Sequence, residues 1–172
     1  MAGTATYTAT VAWDRNGAAF TDRRYSRAHR WEFDGGVEVP ASASPHSVPL
    51  PLSVAEAVDP EEAFVASVAS CHMLWFLAIA ARHGYVVDSY RDAASATMGP
   101  DADGRMAILD VYLRPAVRFG DGREVPADRL AELHHAAHAE CFIANSVRST
   151  IHCDPVQAGQ PAIRNHFGAG HV

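Results

Sequence analysis

Lysine is missing altogether: all fourteen basic residues of this 172-residue chain are arginine. They are outnumbered by twenty acidic residues, for a formal net charge of −6. A protein that tracks a phosphate backbone needs a basic surface, so nucleic acid is not an expected partner. Cysteine is scarce as well, with three residues, too few for a disulfide framework. Reduced thiols in a cytoplasmic protein are expected instead. No charged segment followed by an apolar run opens the chain, so no signal peptide is expected. Formal charge is also missing from Ala63 to Ala81, 19 consecutive positions. At about 1.5 Å per residue these span about 28 Å, enough for a bilayer. Ser67, Ser70, Cys71, His72 and many alanines interrupt the run, so it reads as a helix buried on nearly all sides rather than a membrane span.

With 48% hydrophobic and 20% charged residues, the composition is that of a globular protein able to bury a core. One domain over 1–156 is expected. Residues 6–14, TYTATVAWD, read as a strand, and 18–34 as one or two more, stopped by Asp34-Gly35-Gly36. A long Pro-rich loop, 36–58, follows. Asp59 then suits an N-cap, Pro60 the first helical position, and Glu61 and Glu62 the positive end of the dipole. Gly84 suits the C-terminal end. Strands are expected over 85–99 and 105–119 around a turn at Pro100 to Gly104. A second helix follows from Pro126 to about Ala144, then a short strand in SVRSTIHCDPV. The tail, 157–172, reads as poorly packed. Strands, helix, strands, helix, strand is an α+β order, not alternating βαβ units.

Two clusters carry chemistry. Cys71 and His72 sit inside the apolar helix. A reactive thiol needs a thiolate and access, yet a free cysteine is also an ordinary small core residue. Cys71 lies in the third turn or beyond, where the dipole gives little help, so an arginine would have to hold a thiolate there. Glu61, ten residues earlier, is about 15 Å away along a straight axis. The second cluster is HHAAHAEC, with His134, His138 and Cys141 on one helical face. It reads as a zinc-type ligand set or as solvated histidines; no CxxC or HExxH spacing supports the metal.

DPEEAFVASVASC (59–71) resembles the helix start of the OsmC/Ohr superfamily, which has a glutamate ten positions before a cysteine and an alanine-rich interval. HAEC (138–141) resembles its second-cysteine motif. CHMLWFL, RRYSRAHRWEFDG and ECFIANSV look like one subset of OsmC-like proteins. The resemblance covers about residues 6–156. It implies an OsmC-like fold, with antiparallel sheets around a long central cysteine-bearing helix, and an intertwined homodimer with two interface sites. It also implies a thiol-dependent peroxidase acting on a small-molecule hydroperoxide without a metal or other cofactor. Cys71 would become a sulfenic acid, Cys141 would condense with it to a disulfide, and an external dithiol would reduce that bond. Glu61 matches the glutamate that orients a catalytic arginine. Arg27, in Tyr25-Ser26-Arg27, matches that arginine; Arg15 and Arg24 are its rivals.

There are departures. Asp59 stands where asparagine is usual, Phe142 where many relatives have proline, and His72 where many have phenylalanine. The imidazole of His72 would tune the thiol or face solvent. Cys153 matches no role in the family and reads as a bystander. Two other functions fit the residues: a non-catalytic ligand-binding or stress-related protein of the same fold, and a metal-binding variant.

Overall fold

The computed structural model describes residues 3–120 and 124–156. Two compact units, Met1–Phe64 and Val65–Val172, divide the chain inside its long helix rather than in the Pro-rich segment.

The first unit is built on an antiparallel sheet of β1 (Ala9–Ala12), β2 (His29–Phe33) and β3 (Glu38–Ala41), with β2 in the centre. The stretch expected to hold up to two strands over 18–34 thus keeps one. Residues before it instead gather an aromatic cluster. Phe20 stacks on Tyr25 at 4.6 Å and Trp13 meets Tyr25 edge-on at 5.3 Å. The Pro-rich segment is tied at both ends. Its start is β3, where Pro40 sits on an edge strand, the place in a sheet that tolerates a missing N–H. Ser42 and Val58 then close the loop: Ser42 N donates to Val58 O at 3.1 Å and Val58 N to Pro40 O at 3.1 Å. The buried Ser42 hydroxyl takes the Val54 N–H at 3.0 Å.

Helix α1 (Pro60–Arg82) begins on a reciprocal cap. Glu62 N donates to Asp59 Oδ1 at 2.8 Å, and Asp59 N donates to Glu62 Oε2 at 3.3 Å, which satisfies two otherwise orphan donors. It ends at Gly84, whose φ is +74°. Gly84 N returns to Ala81 O and Tyr85 N to Ala80 O, both at 3.0 Å, the paired bonds of a left-handed glycine stop.

In the second unit β4 (Val87–Asp92) pairs with β7 (Pro115–Phe119), and β5 (Ser95–Pro100) pairs with β6 (Met106–Leu113). These pairs are antiparallel. The expected strands 85–99 and 105–119 are therefore each broken in two, at the same level. Asp92 holds the break: its Oδ1 accepts Arg114 N at 2.7 Å, while Arg114 Nη1 reaches Ser95 Oγ at 2.9 Å. Strand β8 (Thr150–Cys153) joins β6 in parallel. Helix α2 (Ala127–Glu140) stops short of Ala144 because Cys141 turns extended, and a single 3-10 turn follows at Ala144–Ser146. Phe76, Ile79 and Ala80 of α1, Val117 of β7, and Leu133 and Ala137 of α2 form the core. Residues 157–172 lie outside the described residues.

Candidate active site

Cys71 is half-buried on α1. Cys141, at the C-terminal end of α2, is fully buried. Both are free thiols, and they are neighbours, Cys71 acting on the Cys141 thiol. The end of α2 makes this meeting possible. The Cys141 backbone leaves the helix at φ −68°, ψ 107° while its N–H still reaches His138 O. The chain then turns back, with Asn145 N on Cys141 O at 3.0 Å and Ala144 N donating to Cys141 Sγ at 3.4 Å. Burial pushes the Cys141 thiol up to about 11; the Ala144 N–H pulls against this, and the neighbouring Cys71 adds to it. Beside the pair, the exposed Phe142 meets Trp75 edge-on at 5.3 Å, one helical turn past Cys71.

The family model for "OsmC-like protein" matches residues 53–155. This chain belongs to the OsmC family. An OsmC-like protein of unknown function from Vibrio cholerae is 49% identical, with a TM-score of 0.87 over 89% of this chain and all of the other. An organic hydroperoxide resistance protein from Elizabethkingia anophelis shares the fold at 17% identity and a TM-score of 0.67, covering 93% of this chain and 100% of that one. The Bacillus subtilis organic hydroperoxide resistance protein OhrB does so at 18% and 0.60, covering 88% and 97%. No match was found among curated protein sequences.

The other expected residues of this OsmC family member are Glu61 and the arginines, which belong to the first unit. Glu61 is half-buried in the first turn of α1, which runs unbroken to Arg82. Arg27 is half-buried. Its guanidinium lies 3.9 Å over the Tyr25 ring and donates to Arg23 O at 2.8 Å and to Tyr25 O. Its own N–H is bonded to Leu52 O at 2.8 Å. Arg15 and Arg24 are exposed. Arg27 is thus held by an aromatic face and its own loop's carbonyls, and Arg15 Nη1 likewise donates to Ala18 O at 2.5 Å.

The histidines depart from expectation. Among the described residues His134, His138 and Cys141 do not form a ligand set; His134 groups instead with His72 and Cys153. His134 is 3% exposed, not solvated, and stacks on His72 at 5.4 Å with an angle of 6°. His72 is 1% exposed, so it does not face solvent. Its Nε2 meets His134 Nδ1 at 3.0 Å and Cys153 Sγ at 3.7 Å. Burial holds His72 down to about 4, helped by His138, and His134 down to about 3, helped by His72. Burial likewise pushes Cys153 up to about 12, with Asp92 and Asp154 adding to it. These three side chains come from α1, α2 and β8, across 81 residues. No local spacing joins them, so no motif search finds them.

Proposed function

We propose that this protein is a thiol-dependent peroxidase for organic hydroperoxides. The observation that carries the proposal is that Cys71 and Cys141, free thiols seventy residues apart in sequence, are neighbours, Cys71 acting on the Cys141 thiol. Of the two, Cys71 is the accessible one and takes the peroxidatic role. Its thiolate attacks one peroxide oxygen; the O–O bond breaks, the alcohol leaves with a proton, and Cys71 becomes a sulfenic acid. Cys141 is shielded from the oxidant but sits against the new sulfenic sulfur. Its attack forms the S–S bond and releases water, and an external dithiol then restores both thiols by exchange. By the family resemblance, Glu61 and Arg27 are the residues proposed to position the Cys71 thiolate.

A homodimer is the proposed working unit. Ser67, Ser70, Leu74, Ala78 and Ala81 are all exposed along α1 at spacings of three and four, so they line one stripe. Leu74 is 60% exposed at its centre. A stripe of small residues around one leucine suits a second copy of the helix. The same helix is long and apolar enough to cross a membrane, with mean hydropathy 1.9. Its other face is held by protein: Val68, His72, Phe76, Ile79 and Ala80 are buried.

The test is a thiol titration before and after one equivalent of cumene hydroperoxide, with peptide mass mapping. A Cys71–Cys141 disulfide should form in the wild type and in neither Cys71→Ser nor Cys141→Ser. A trapped sulfenic acid should appear in Cys141→Ser alone. Thiols unchanged at millimolar peroxide would refute the enzyme and leave a non-catalytic member of the family.

A further inference from the structure

We propose that His72, His134 and Cys153 form a binding site for a divalent transition-metal ion of the zinc type, separate from the Cys71–Cys141 pair. The ion would join α1, α2 and β8 at one point.

One ligand atom from each residue lies within 4.8 Å of the other two. A tetrahedral zinc with Zn–N near 2.0–2.1 Å and Zn–S near 2.3 Å sets its donors about 3.3 Å apart for two nitrogens and about 3.6 Å for nitrogen and sulfur. The His72–Cys153 separation, 3.7 Å, already matches. The His72–His134 separation, 3.0 Å, has to open by about 0.3 Å. The remaining edge has to close by no more than about 1.2 Å from its 4.8 Å limit. Side-chain rotations supply shifts of that size.

The chemistry agrees. Two imidazoles and a thiolate are a donor set that zinc prefers. Both imidazoles face each other through bare or singly protonated nitrogens. One shared proton satisfies that pair but leaves the sulfur, also aimed at His72 Nε2, with no better partner. Three electron-pair donors converging on one point are accounted for by a cation.

Among the described residues five buried side-chain polar atoms have no partner. Four belong to this cluster or its neighbours: His72 Nδ1, His134 Nε2, Tyr90 Oη and Asp92 Oδ2. Tyr90 lies 6.4 Å from the His134 ring, centroid to centroid. Asp92 acts electrostatically on Cys153. Native interiors pair nearly all such atoms; His72 Nδ1 and His134 Nε2 are the ring nitrogens that do not face the proposed ion, which takes His72 Nε2 and His134 Nδ1. A water supplies the fourth ligand, and the Asp92 carboxylate, which acts electrostatically on Cys153, would offset part of the remaining positive charge. Cys153 is half-buried, and its side gives an ion a way in.

The test uses the full chain, treated with chelator and kept reduced, then titrated with cobalt(II) and in competition with zinc(II). One cobalt per chain should bind, with a thiolate-to-cobalt charge-transfer band and the intense visible bands of a four-coordinate ion. The charge-transfer band should persist in Cys71→Ser and Cys141→Ser. It should vanish in Cys153→Ser, with zinc affinity falling about a hundredfold or more in that variant and in His134→Gln. A band that follows Cys71 or Cys141, or no stoichiometric binding at tens of micromolar metal, overturns the proposal. Should the variants fail to fold, X-ray absorption of the zinc-loaded wild type decides. Two imidazoles and one sulfur support the site; two sulfurs assign the ion to the redox pair and refute it. These outcomes do not depend on whether Cys71 reduces peroxides.

Discussion

Residue by residue, burial is the force that sets reactivity here. Cys141 is held up to about 11 chiefly because its thiolate would be desolvated. Disulfide formation depends on the thiolate fraction of the attacking sulfur. Conversion of a Cys71 sulfenic acid should therefore quicken about tenfold per pH unit between pH 7 and 9, read by rapid-quench mass spectrometry. A rate independent of pH over that range contradicts the assignment of Cys141. The histidine pair gives a second expectation, for the chelator-treated protein. Both folded pKa values, about 4 and about 3, lie below the unfolded 6.5. Between these values the unfolded chain holds more protons, so the stability is complete above pH 6.5 and is lost as pH falls. The loss is about 1.4 kcal/mol per unit for one imidazole. The urea midpoint should drop from pH 6.5 toward 4, and drop less steeply in His134→Gln. Cys71 and Cys141 were legible in the sequence because each heads a motif. The partnership of His72, His134 and Cys153 was not, because each residue alone looks like a bystander.

For single elements, α1 is the one whose ends are written in local residues. Asp59 and Glu62 satisfy each other's backbone donors at its start. Asp59→Ala should cost about 1 kcal/mol in thermal or chemical denaturation. At its end Gly84 has φ +74°, and a Cβ there would meet nothing within 4 Å. The penalty of Gly84→Ala is then purely conformational, about 1–2 kcal/mol, with Gly84→Asn less damaging. A neutral Gly84→Ala would mean that the stop is not formed. Strand breaks are the opposite case. Two stretches, 85–99 and 105–119, read as two strands, yet the fold makes four. The reason is a long-range bond, Asp92 to the Arg114 N–H, with a partner twenty-two residues away that period alone does not reveal.

For the whole molecule, the exposed stripe on α1 is the feature that asks for a partner. Leu74→Arg places a charge at its centre and should convert a homodimer to monomer by sedimentation. If the catalytic groups come from two chains, peroxide turnover should fall at least about tenfold in that variant while Cys71 remains present. A dimer that survives the substitution would remove the stripe from the interface.

The α+β class and the caps of α1 were set by the sequence alone, because each rests on neighbours within a turn or on a local pattern of apolar residues; the two cysteines were singled out through the motifs that resemble the family. The tertiary structure decided the rest. It chose which face of α2 turns inward, so that His134 meets His72 while Cys141 meets Cys71. It brought β8 alongside β6, which carries Cys153 to the histidines. Those choices follow from packing one apolar surface against another, and packing joins residues that the chain itself keeps far apart.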